Sequence, residues 1–181
     1  MSFSTIKAIA FTAVFAAATP LAYAQSATEL EEDFSLFTAG SESEPSSAIS
    51  NETGTIPSSY FHQSGWSGYG VHQAGGACAL ISPDNYGAQL YTPQGAYIGE
   101  YEVKVRAKTL ASNYRDNAQL TIGLWEDAAS QYNQTTYHEP FTTTKNEWRE
   151  FTFYFNNTTF NSSNLLIAFS TNDQVLIDDV K

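Results

Sequence analysis

The stretch from Ser64 to Gly76 (Ser-Gly-Trp-Ser-Gly-Tyr-Gly-Val-His-Gln-Ala-Gly-Gly) holds five glycines and runs directly into Ala77-Cys78-Ala79-Leu80-Ile81. Glycine alone enters positive-φ regions without steric cost, so the backbone turns tightly and repeatedly here. A glycine-aromatic segment feeding a short apolar run reads as the packed rim of a β-sandwich. It lacks the lysine and the glycine spacing of a phosphate-binding loop.

The rest of the chain agrees with that reading. From Gly99 to Lys108, Tyr101, Val103, Val105 and Ala107 alternate with Glu102, Lys104, Arg106 and Lys108, giving an apolar face and a charged, solvated one. Leu120, Ile122 and Leu124 alternate with Thr121, Gly123 and Trp125, and Phe151, Phe153 and Phe155 alternate with Thr152 and Tyr154. Further short strands are expected at Asp33–Phe37, Ala88–Pro93, Phe141–Thr144, Leu165–Ser170 and Gln174–Lys181. Residues 38–59 and 126–139 are polar and read as connections. No segment keeps a helical period. The expected fold is a single all-β domain, an antiparallel jelly-roll β-sandwich.

Residues 1–24 are expected to be a cleaved signal peptide. Lys7 precedes an apolar run, and Ala22-Tyr23-Ala24 gives the small-x-small pattern before Gln25. The expected domain is therefore 25–181, exported to the cell exterior or surface, with no membrane insertion. Beyond Lys7 the chain has 19 acidic and 7 basic residues, a net charge near −12. That balance argues against nucleic acid, whose phosphates require clustered Lys and Arg. Cys78 is the lone cysteine, so no internal disulfide forms, and its apolar neighbours mark it as a small buried hydrophobe.

Several pieces in order carry a resemblance: Glu32-Asp33-Phe34-Ser35, Gly65-Trp66-Ser67-Gly68, Val71 to Gly76, Gly99 to Val103 and Ile177-Asp178-Asp179-Val180. Together they resemble the secreted jelly-roll domains of Bacteroidetes-type surface proteins, related to cleaved-adhesin domains and galactose-binding-like carbohydrate-binding modules. The resemblance implies a sandwich whose first and last strands are neighbours, clipped by a structural calcium ion. Asp33 and Asp179, or Asp178, take the matching positions, with a loop acid such as Glu42 or Glu44 beside them. Calcium takes six to eight oxygen ligands, which suits clustered carboxylates.

Sugars bind where flat rings meet the apolar face of a pyranose and amides or carboxylates take the hydroxyls. The candidate rings are Trp125 and Tyr154, each opposite a core row, and the loop aromatics Trp66, Tyr69, Tyr132 and Tyr137. The leading expectation is a non-catalytic binding or adhesion module for glycan. The alternative is a structural domain contacting another surface protein, with the same rings buried in that neighbour. A polysaccharide lyase or glycoside hydrolase is the third reading. For it, Glu100 and Glu102 share a face, and His72 with Gln73 and Tyr132 would have to converge. The scattered His62, His72 and His138 lack zinc-ligand spacing, and no Gly-x-Ser-x-Gly elbow occurs.

Overall fold

The structure is a computed structural model. It describes residues 29–83, 87–95, 97–128, 131–137, 140–158 and 164–181. The expected signal peptide and His138 lie outside the described residues, as do the side chains of 127–128 and 131–137.

Among the described residues, eleven strands form two antiparallel sheets. They are β1 (Ser67–Tyr69), β2 (Val71–Gln73), β3 (Cys78–Ile81), β4 (Ala88–Tyr91), β5 (Gly99–Thr109), β6 (Asn117–Ala128), β7 (Gln131–Tyr137), β8 (Phe141–Thr144), β9 (Arg149–Asn157), β10 (Leu165–Thr171) and β11 (Gln174–Asp178). One sheet runs β1-β4-β10-β6-β7, with β8 pairing the first half of β6; the other runs β2-β3-β11-β5-β9. Apart from one three-residue 3-10 turn at Ser58–Tyr60, the described residues hold no helix. None is therefore long and apolar enough to cross a membrane.

Alternation fills the space between the sheets as the sequence implies. Val103, Val105, Ala107, Val175 and Ile177 face Leu90, Leu120, Ile122, Leu124, Ile167 and Phe169 across one core. Cys78 is wholly buried there, and burial pushes its thiol pKa well up, as expected of an inert packing residue. On the outside of β5, Lys104 pairs with Glu102 and Arg106 with Asp178 and Asp179.

The two ends of the domain meet. Glu32 and Val180 exchange both backbone hydrogen bonds at 2.9 Å. Behind that bridge Phe34 enters an aromatic node with Phe37, Phe61 and Trp66, its ring centroids 5.2 to 6.4 Å from theirs. Phe34 and Ile177 belong to the same core.

Three segments differ from expectation. Asp33–Phe37, expected as a strand, follows the single bridge at Glu32 with a turn, the Phe37 N–H donating to the Phe34 carbonyl at 2.8 Å. The polar run 126–139 contains the end of β6 and all of β7, paired to each other as a hairpin. Its β-branched and aromatic residues favour strand although its polarity suggested a loop. The glycine-rich stretch is also strand: β1 belongs to one sheet and β2 to the other, with Gly70 at the corner between them. Gly70 has φ +62°, and a Cβ there would lie 2.3 Å from the Ile81 carbonyl oxygen. The chain crosses the edge of the sandwich at that residue because only glycine fits. Gly70→Ala is therefore expected to lower stability by at least about 2 kcal/mol, read as a shifted urea midpoint with an unchanged m-value.

Candidate functional site

In β4, β6 and β10, Leu90, Ile122, Leu124, Leu165, Ile167 and Phe169 point into the core, so the residues between them point outward. The register places these outward residues in rows. Tyr69, Gln89, Ser170 and Thr121 form the first row, Ser67, Tyr91, Ala168 and Gly123 the second, and Leu166 and Trp125 the third. Tyr91, Leu166 and Ala168 make a small apolar cluster on this outer face, with Tyr69 and Trp125 packed against it and partly exposed. The Trp125 and Tyr91 rings lie 6.0 Å apart, tilted, and the Tyr91 hydroxyl donates to the Gln89 side-chain carbonyl.

Tyr69 is held from behind by the polar connection. A Cβ on Gly54 would lie 2.8 Å from the Tyr69 ring, so that ring rests directly on the glycine. Asn51 Oδ1 accepts hydrogen bonds from the backbone N–H groups of Thr53 and Thr55 and fixes the turn around Gly54. The 38–59 segment is thus no loose connection: Ala48 bridges to His72, and Thr55 to Ser67.

Polar hollows flank the aromatic strip. A cleft of about 680 Å³ has Gln89, Gln119, Thr121 and Ser170 as its floor, with Tyr114 and Arg115 on one wall and Asn172 and Asp173 on another. A second hollow of about 390 Å³ adjoins Leu166, lined also by Thr53, Thr55, Ser67 and Gln94. Tyr114, Gln89 and Gln94 were not singled out in the sequence. The register that joins Gln89 to Tyr69 and Ser170 is a long-range property and leaves no local signal.

The expected ring set divides. Trp125 and Tyr69 share the face just described. Trp66 is only 3% exposed and stacks on Phe61 at 5.2 Å, so most of its ring is core and only an edge of it lines the second hollow. Tyr154 is 68% exposed but stands on β9, in the other sheet, beside Glu102. Trp125 and Tyr154 therefore do not form one patch. Tyr132 and Tyr137 lie in β7, next to β6, with side chains outside those described.

The acids near the joined ends have their own geometry. Oxygens of Glu32 and Asp33 and a ring nitrogen of His62 lie within 4.8 Å of one another. Glu32 is buried and accepts the backbone N–H of Phe34 at 3.1 Å and of His62 at 2.9 Å; burial raises its pKa. Asp33 accepts the Ser35 N–H, which lowers its pKa, and contacts His62 at 3.0 Å. Asp178 is pushed up to about 6, foremost by burial and further by the charges of Asp179 and Asp33; Arg106 opposes the shift. Asp178 and Asp179 both turn towards Arg106, at 3.4 and 2.9 Å. Glu42, expected beside a metal, bonds Lys108 and the Trp148 indole instead.

Among the described residues, two of the groups weighed for catalysis are engaged elsewhere. His72 donates from Nδ1 to the Ser46 carbonyl at 2.7 Å, holding the 38–59 segment to β2. Glu102 pairs with Lys104 on the solvated side of β5.

No family pattern matches the chain, and no curated protein matches it in sequence. Among solved structures it is similar to the CBM22-2 xylan-binding domain from Paenibacillus barcinonensis, with TM-score 0.49, 11% identity, 84% of this chain and 96% of that one. It is similar also to a CBM4 module, with TM-score 0.47, 17% identity, 65% of this chain and 92% of that one. A third is the N-terminal cellulose-binding domain of a Cellulomonas fimi β-1,4-glucanase, with TM-score 0.41, 17% identity, 64% of this chain and 86% of that one. The likeness is of chain path, and at these identities no residue role carries across.

The raised pKa of Asp178 fixes the sign of a pH effect. A carboxyl whose folded pKa lies above its unfolded value contributes stability at low pH and loses it as pH rises through the folded pKa. In chelator-treated protein, the contribution of this group falls between about pH 4 and pH 6. Asp178→Asn is expected to remove that part of the slope, measured as urea midpoints across the pH range. An unchanged slope shows that Asp178 ionises freely in the folded protein.

Proposed function

We propose that the protein is an exported, non-catalytic carbohydrate-binding domain, and that sugar lies across the outer face of the six-stranded sheet. One observation carries this reading. Tyr69 and Trp125 are held over an apolar floor of Tyr91, Leu166 and Ala168, with amide- and hydroxyl-lined hollows to either side. Pyranose rings present an apolar face to such a strip, and their hydroxyls need amide and hydroxyl partners within the same reach. Polar hollows on both sides of the rings suit an extended oligosaccharide better than a monosaccharide. A net charge near −12 beyond Lys7 favours solubility and disfavours polyanions of high charge density.

Trp125→Ala is expected to weaken binding to a recognised oligosaccharide by at least about tenfold, the loss of one stacked ring. Tyr154→Ala, on the other sheet, is expected to leave it unchanged. Isothermal titration against array-selected oligosaccharides reads both. If no glycan binds and Trp125→Ala instead abolishes capture of a surface protein, the face is a protein-contact surface.

We propose also that a calcium ion clips the joined ends, drawing on Glu32 and Asp33 from one end and Asp178 or Asp179 from the other. Support comes from the Glu32 and Asp33 oxygens, which lie within 4.8 Å of each other beside a His62 nitrogen and suit a hard cation, and from Asp178, which burial and then the charges of Asp179 and Asp33 make costly to ionise. A bound ion would supply positive charge there and has no role in sugar chemistry. At 100-fold saturation, binding adds about 2.7 kcal/mol, a rise of roughly 5–10 °C in Tm for a domain of this size. Melting in EDTA and again after added calcium measures it; equal Tm values in the two conditions would remove the ion from this account.

A further inference from the structure

We infer that the cleft beside the aromatic strip takes an acidic sugar, a uronic-acid residue whose carboxylate is received by Arg115. This rests on the carbohydrate reading of the face and adds the chemical class of ligand.

Lys104, Arg106, Lys108, Lys145, Arg149 and Lys181 each have a carboxylate within 4.0 Å. Arg115 is the one Lys or Arg among the described residues with none. In a chain with this excess of acid, an unpaired guanidinium stands out. It is also the cation that lines the cleft, next to Gln89, Thr121 and Ser170.

The backbone that carries Arg115 is fixed before any ligand arrives. Asn113, 6% exposed, donates its amide to the Arg115 carbonyl at 2.9 Å and accepts the Gln174 N–H at 3.2 Å. The next residue is tied as well, its carbonyl accepting the Lys145 N–H at 3.1 Å. With the Arg115 backbone already held, binding has to order its side chain and not the loop that carries it, which lowers the entropic cost of the contact. The facing acid, Asp173, has one oxygen committed to the Gln119 N–H at 3.0 Å.

Guanidinium meets a carboxylate with two parallel N–H donors, a geometry lysine lacks. A single such group suits a chain with spaced uronates. A densely sulfated polymer would be repelled by the excess of acid elsewhere, since charges act over about 10 Å at 0.1 M salt.

The test compares fragments of glucuronoxylan, alginate and homogalacturonan with their carboxyl-reduced counterparts, which keep the backbone and lose the charge. The wild-type protein is expected to bind the acidic member of a recognised pair about fivefold tighter, a preference that shrinks at 1 M salt. Arg115→Gln should equalise the two members, chiefly by lowering affinity for the acidic one, and Arg115→Lys should restore only part of the preference. Equal binding of both members by the wild-type protein overturns the inference and leaves the carbohydrate reading standing; so does a preference that survives Arg115→Gln. Absence of binding to every acidic and neutral fragment removes the carbohydrate reading and this inference together.

Discussion

The double hydrogen bond between Glu32 and Val180 closes the sandwich. It joins the segment at Glu32 to the segment after β11, and strain on both sides shows that other contacts hold it in place. Phe34 and Asp179 both take left-handed backbone angles, at φ 51° and 47°, which an L-residue adopts only at a cost of about 1–2 kcal/mol. Such strain persists where surrounding structure over-determines it. For Phe34 the surroundings are the rings of Phe37, Phe61 and Trp66; for Asp179 they are Arg106 and the N–H bond to Asp178. The aromatic node is thus what lets a short N-terminal segment reach the last strand.

That node also explains the fates of the tryptophans. Trp66 sits just ahead of the sheet-switching corner at Gly70, where the chain passes between the layers, so its ring falls inside. Trp125 sits mid-strand in β6, opposite in phase to Leu124, so its ring falls outside. Phase within a strand decided the second case and could be read directly. The first depended on knowing that the glycine stretch was two strands in two sheets.

The sequence thus exposed what local periodicity encodes. The alternation in β5 and β6, the apolar inner faces and the joining of Glu32 to Val180 all follow from two-residue phase and from the pairing of ends. Three features escaped because they are set by distant partners. Polar β7 is strand because β6 offers it an edge to pair with. The 38–59 segment is ordered because Asn51, Glu42 and Ser46 each reach a partner. The cleft exists because β4, β10 and β6 align Gln89, Ser170 and Thr121 in one row. Arg115 carried no motif. Its isolation shows only once every other basic side chain among the described residues has been paired.

β11 separates the two proposed sites in a way that bears on their coupling. It begins at Gln174, beside the cleft, and ends at Asp178, within the carboxylate group, about 14 Å further along at strand spacing. The Gln174 end is fastened on its own account: Asn113 accepts its N–H, its carbonyl accepts the Leu110 N–H, and Thr171 bonds the Gln119 carbonyl. Loosening the Asp178 end would fray the strand from the far side while the cleft walls kept these bonds. The proposed ion at the joined ends would therefore act on the stability of the fold, whereas the chemistry of the cleft is set by the groups that line it.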